Sequence, residues 1–185
     1  MVVSVAVIAL ITLAVTNTHS HPSASSSSTS PSPTASLPAI GSPSPNGSFT
    51  TLAGTTESVA SFKGKPTLLW FVSTWCSSCQ ASTKVMASNL ATLARSGVQV
   101  KEIELYDDLG SPGPPMSTFA KVGAGKEFNN PDWTFGVSSL HLSEAYDPVG
   151  YLDVYYLINS SGKITYLNSS PSATMPDLLR AVKEL

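Results

Sequence analysis

The sequence holds two cysteines, and both fall within Trp75-Cys76-Ser77-Ser78-Cys79. Their flanks limit the fold more than any other feature. In front runs Thr67-Leu68-Leu69-Trp70-Phe71-Val72, introduced by Gly64-Lys65-Pro66; a short, continuous apolar run of this kind suits a strand buried on both faces. Behind, Cys79, Thr83, Met86, Leu90 and Leu93 recur at three- and four-residue spacing, which predicts one face of a helix ending near Gly97. The pair is therefore expected at a strand-to-helix turn.

Val98 to Leu105 alternates in two short stretches with a phase slip at Lys101-Glu102, either a bulge or the strand's real start. Strand, helix and strand imply a right-handed parallel crossover. Tyr106 to Val122 reads as loop around Ser111-Pro112-Gly113-Pro114-Pro115, with a short helix opened by Pro114 or Pro115 and running through Phe119. Asp132 to Phe135 suits a short strand, and Ser138 to Tyr146 a helix with Leu140 and Ala145 inward. Val154 to Ile158, Asn159-Ser160-Ser161-Gly162 and Lys163 to Leu167 predict an antiparallel hairpin, and Pro176 opens a last helix to Leu185. The expected class is α/β, a mixed sheet flanked by helices.

Charge divides the chain. The 10 basic and 12 acidic residues all lie at or beyond Glu57, and the net charge of −2 offers no basic stripe with which to grip a nucleic acid. Residues 1–16 are almost wholly apolar from Val2 to Val15, too short a run to cross a bilayer comfortably, and read as a signal or membrane anchor. Residues 17–48 are rich in Ser, Thr and Pro, a composition that cannot bury enough apolar surface to offset chain entropy, and read as a disordered tether. The folded domain is expected at 49–185, outside the cytoplasm, either membrane-anchored or secreted. His19 and His21 lie in the tether without nearby cysteines or carboxylates and are expected in solvent.

A Cys-x-x-Cys pair at a helix start has a chemical use. The first sulfur meets unpaired backbone N–H groups and the positive end of the helix dipole, which favour its anion; the second lies one turn in and is more buried. Cys76 is thus the expected nucleophile and Cys79 the resolving thiol. A free thiol with pKa ~8.5 is a few per cent ionised at neutral pH, whereas a pKa of ~7 makes about half of it reactive. The competing uses are an inert bridge and half of a zinc site. A bridge over so short a loop adds little stability, and two cysteines with His141, the only histidine beyond the tether, do not complete a tetrahedral site.

The chain resembles the extracytoplasmic, membrane-anchored thioredoxin-like proteins of the TlpA/ResA type. The matching residues are Ser48-Phe49-Thr50-Thr51-Leu52, then Ser61-Phe62-Lys63-Gly64-Lys65-Pro66, then Leu68 through Cys79, and Tyr156 through Ile164 as the closing hairpin. The resemblance implies a thioredoxin-like sheet and a thiol-disulfide oxidoreductase acting on exported protein thiols or disulfides with a separate redox donor, without cofactor or metal. It implies that Trp75 packs beside Cys76 and shapes the partner-binding surface.

Two positions depart from that family. Its cis-proline just before the hairpin is replaced by Asp153, which either caps a strand in solvent or lies against Cys76, where like charge would oppose the thiolate or else leave Asp153 protonated as a donor. The buried carboxylate that thioredoxins carry six residues before the first cysteine is replaced by Trp70; Glu102 and Glu104 on the next strand are the substitutes, with Glu104 preferred. A copper-binding chaperone similar to the Sco type is the alternative function. Its three-residue cysteine spacing and its histidine near the closing hairpin are not matched by Cys76, Cys79 and His141. A peroxidase like the peroxiredoxins would want a Thr and an Arg about its cysteine, and the Trp-Cys-x-x-Cys form argues against it.

Overall fold

The computed structural model describes residues 36–185. The apolar segment at 1–16 and most of the expected tether lie outside them. The chain runs β1 (Ser48–Thr51), β2 (Thr56–Ser58), β3 (Thr67–Val72), α1 (Ser77–Arg95), β4 (Gln99–Glu104), α2 (Met116–Ala124), β5 (Trp133–Ser138), α3 (Leu140–Tyr146), β6 (Val154–Ile158), β7 (Ile164–Ser169) and α4 (Pro171–Val182), with 3-10 turns at Val59–Phe62, Tyr106–Gly110 and Gly125–Asn129. One seven-stranded sheet has the order β2-β1-β5-β4-β3-β6-β7. β3, β4 and β5 are parallel, and the flanking pairs are antiparallel.

β3 lies between β4 and β6, and all six of its residues are buried, as its continuous apolar run requires. Its alternating side chains serve two cores. Leu68, Trp70 and Val72 join Val100, Tyr155 and Leu157 beneath α1, α2 and α4, whereas Leu69 and Phe71 meet Phe49, Phe62, Ile103, Leu142, Tyr146 and Tyr156 on the opposite face. α1 buries Cys79, Thr83, Met86, Leu90 and Leu93 as its spacing predicts. It ends in a Schellman arrangement: Gly97, at φ +76, donates to Ala94, and Val98 donates to Leu93.

Several expectations are revised. β4 has no bulge; it pairs with β3 in unbroken register from Thr67 opposite Gln99 to Val72 opposite Glu104. Lys101 and Glu102 look out of phase because a central strand is buried on both faces, so its charged side chains lie inside and find partners there. Lys101 pairs with Glu57 at 2.8 Å. α3 turns Leu142 and Tyr146 inward, and Leu140, expected inside, is exposed. α4 starts at Pro171, where a missing N–H costs nothing, and Pro176 lies within it.

The chain is also held before Phe49. Gly41 donates to Ile164, Ser44 to Gly162, Ile164 to Ser42, and the Tyr146 hydroxyl to the Pro45 carbonyl. Backbone groups fix this stretch, so its Ser- and Pro-rich composition gave no sign of it. Among the described residues no helix is long and apolar enough to cross a membrane.

Candidate functional site

Ser73, Thr74 and Trp75 carry the chain from β3 into α1. The turn is closed by Cys76 N–H donating to the Ser73 carbonyl, and Cys76 becomes the N-cap of α1 with extended backbone. Its sulfur takes the place that a Ser or Asp oxygen usually fills, accepting from the Cys79 N–H at 3.1 Å. That geometry brings the two Cα atoms to 5.3 Å, and the sulfurs form a disulfide. Cys79 is fully buried and Cys76 is 3% exposed, so the first sulfur is the one nearer the surface. The Ser78 hydroxyl lies 3.1 Å from the Cys76 sulfur.

Trp75 is 37% exposed beside Cys76, and its indole N–H donates to the Asp108 carbonyl at 2.8 Å. Asp108 was not anticipated. The segment expected to be a plain loop folds onto the cysteine turn, and the Asp108 carboxylate accepts from the Thr74 N–H at 2.8 Å and from the Thr74 hydroxyl at 2.7 Å. To present that carboxylate, Asp107, Asp108 and Leu109 all adopt left-handed backbone at φ +51, +48 and +58. Such conformations are costly for residues with a Cβ, and here the buried carboxylate contacts hold them. Gly113 completes the fit: a Cβ there would lie 2.1 Å from the Thr74 hydroxyl oxygen and 2.9 Å from the Trp75 nitrogen. The two consecutive aspartates and Gly113 among prolines were the available signals.

Asp153 immediately precedes β6, at φ +66 and fully buried, so it does not cap a strand in solvent. Its carboxylate accepts from the Trp70 indole at 2.9 Å and from the Ser82 hydroxyl at 2.7 Å, one turn along α1 from Ser78. Burial outweighs these bonds and pushes its pKa up to about 6. Trp70, which replaces the family carboxylate, thus reaches across the sheet to another one.

Glu102, rather than Glu104, lies deep in the same layer. It stands opposite Trp70 in register, is fully buried, and lies 2.7 Å from the Thr83 hydroxyl, which also lies 2.9 Å from the Cys79 carbonyl. Its second oxygen has no well-aligned partner and faces the similarly placed indole N–H of Trp133. Burial, reinforced by the Asp153 charge, raises its pKa well above the usual carboxylate range. A hydroxyl has one proton and cannot donate to both neighbours; a protonated Glu102 donating to Thr83, which donates to Cys79, satisfies all three groups. Glu104 shares that face but lies half-buried at the strand end, its pKa pushed up to about 7 by burial and then by Asp108.

Among the described residues no three His, Cys, Asp or Glu side chains converge as a metal site requires. His141 is exposed on α3.

No match was found among curated protein sequences. Among solved structures, the thioredoxin domain of a thiol-disulfide oxidoreductase from Bacteroides vulgatus is similar at 22% identity and TM-score 0.59, covering 79% of this chain and 96% of that one. A secreted disulfide oxidoreductase of Mycobacterium tuberculosis is similar at 22% identity and TM-score 0.56, covering 75% and 95%. Copper-bound ScoI of Arabidopsis thaliana is similar at 17% identity and TM-score 0.54, covering 78% and 100%. These likenesses establish a thioredoxin-like fold. The Redoxin family model matches residues 39–182, a span that includes the ordered stretch before β1 as well as the cysteine turn, and the chain belongs to the Redoxin family.

Proposed function

We propose that this protein is a thiol-disulfide oxidoreductase of the TlpA/ResA type, acting outside the cytoplasm on thiols or disulfides of exported proteins. The observation that carries the reading is the capping geometry: the Cys76 sulfur occupies the N-cap of a 19-residue helix and accepts a backbone N–H from Cys79. In the reduced protein the same N–H and the helix dipole would stabilise a Cys76 thiolate. The thiolate attacks one sulfur of a partner disulfide, whose other sulfur leaves with the electron pair and takes a proton. Cys79 then loses its proton and attacks Cys76, releasing the partner as a dithiol and restoring the bridge. The reverse sequence oxidises a partner dithiol.

Glu102 is the positioning carboxylate in this reading, in place of Glu104. It reaches the backbone of Cys79 through Thr83 and stores a proton in the layer beneath the resolving sulfur. Trp75 offers partners an exposed aromatic surface beside the nucleophile. Export rests on the composition of residues 1–35 and on the resemblance. Residues 1–16 as signal or anchor and the tether from residue 17 are part of the same proposal, with the folded domain now starting near Ala39 instead of Phe49.

The test is reduction of insulin by the reduced protein, wild type against Cys76→Ser, with copper binding measured alongside. We expect exchange to fall to background in the variant. Exchange that survives loss of Cys76 would overturn the reading, and tight stoichiometric copper binding without exchange would replace it with a Sco-like one.

A further inference from the structure

We propose that Asp153 is a positioning residue for the nucleophile, setting the proton affinity of Cys76 through the hydroxyl of Ser78. The inference rests on the thiol-exchange reading and deepens it, because Asp153 is a fully buried carboxyl group packed against the first turns of α1.

The geometry that carries it is a hydroxyl against the nucleophilic sulfur, on the helix face that meets Asp153. Ser78 lies 3.1 Å from the Cys76 sulfur and stands one helical turn before Ser82, whose hydroxyl donates to the Asp153 carboxylate at 2.7 Å, so the single Ser78 proton lies between the sulfur and that carboxylate. The other bonds of Asp153 come from groups with fixed direction or other obligations. The Trp70 indole can only donate, and Ser82 gives its proton to Asp153 while accepting the Ser172 N–H at 3.1 Å. Ser78 is therefore the adjustable link. When Asp153 is a carboxylate, Ser78 donates to it and the sulfur loses a donor. When Asp153 carries a proton, it donates to Ser78, and Ser78 is free to donate to a Cys76 thiolate.

The groups facing Asp153 leave few other controls. Trp70 from β3, Ser78 and Ser82 from α1 and Ser170 ahead of α4 are neutral, and the titratable neighbour is Glu102 from β4, whose carboxyl group burial keeps protonated. Its left-handed backbone and the Ser170 N–H donating to its carbonyl at 2.8 Å fix the side chain toward α1.

When a partner thiolate breaks the mixed disulfide at Cys76, the electron pair stays on the Cys76 sulfur. Ser78 passes its proton to that sulfur and takes the proton of Asp153, which is left as a carboxylate. The proton lost by the partner's attacking thiol goes to solvent, which later reprotonates Asp153. In the opposite direction Asp153 carboxylate draws the proton from Cys76 by the same path.

The experiment is the pH dependence of iodoacetamide alkylation of Cys76 in the reduced full chain, read by mass spectrometry of the Cys76 peptide. This readout needs no partner protein, so it stands apart from the insulin assay. Asp153→Asn keeps an oxygen for Trp70 and removes the charge. We expect alkylation at pH 7 to rise by about threefold or more, with the Cys76 titration shifted to lower pH. In a Ser78→Ala background the same substitution is expected to have less than half that effect on a logarithmic scale. An unshifted titration in Asp153→Asn overturns the proposal, as does an equal shift with and without Ser78. Should Asp153→Asn fail to fold, Ser78→Ala alone decides: its side chain is partly exposed, and an unchanged Cys76 titration in that variant also overturns it.

Discussion

Two buried aspartates hold the elements on either end of the cysteine turn, and their donors differ in kind. Asp108, from the loop after β4, receives the backbone N–H and the hydroxyl of Thr74, both fixed on the turn itself. Asp153, the residue before β6, receives the Trp70 indole from β3 and the Ser82 hydroxyl from α1, one turn from Ser78. A backbone donor cannot move its proton elsewhere, so Asp108 acts as a clamp on geometry. Hydroxyls can turn, so Asp153 can trade its proton with the site. The outer flank fixes where Cys76 stands and the inner flank fixes how easily it ionises.

The largest effect should come from forcing the outer flank apart. Gly113→Val places a Cβ 2.1 Å from the Thr74 hydroxyl oxygen and 2.5 Å from the Asp108 carboxylate, and we expect a loss of about 3 kcal/mol in urea unfolding with impaired exchange. Next, Asp108→Ala strands a buried backbone N–H and should cost about 2 kcal/mol, whereas Asp108→Asn keeps one acceptor and loses less. Neither Asp108 variant should move the Cys76 titration, and a shift as large as that from Asp153→Asn would break the distinction between the flanks.

A pH effect follows, with its sign set by Asp153. Burial raises its native pKa from 3.8 to about 6, so the native state holds this proton more tightly than the unfolded chain. Its contribution to stability is complete below pH 3.8 and is lost as pH rises through about 6. Glu104, raised to about 7, and Asp147, raised to about 6, act in the same direction. Thermal unfolding should therefore give a Tm lower at pH 7 than at pH 5 by roughly 5 °C, and Asp153→Asn should reduce that difference without abolishing it. The smallest change is Trp75→Phe, which removes the bond to the Asp108 carbonyl and should cost about 1 kcal/mol.

Local pattern made much of this readable. The apolar run of β3, the stripe on α1 and the hairpin of β6 and β7 each state their structure within a few residues, and they place Cys76 and Cys79 at the turn. Reading failed where the determining contact was distant. Leu140 and Leu142 are both leucines at the start of one short helix, and only packing decides which is buried. Residues 41–46 were hidden among serines and prolines because their bonds to β7 and α3 are backbone or carbonyl contacts, which composition does not register.

The choice between Glu102 and Glu104 shows why. Both lie on the same face of β4, and alternation alone cannot separate them; Glu102 stands mid-strand opposite Trp70, and Glu104 ends the strand beside a loop. The sequence by itself determined a Cys-x-x-Cys pair capping a helix behind a buried strand, because those signals are short-range. Only the tertiary structure decided which carboxylates surround the pair, because Trp70 meets Asp153 and Glu102 meets Thr83 across the sheet and its covering helix, and burial there governs whether a carboxyl group keeps its proton.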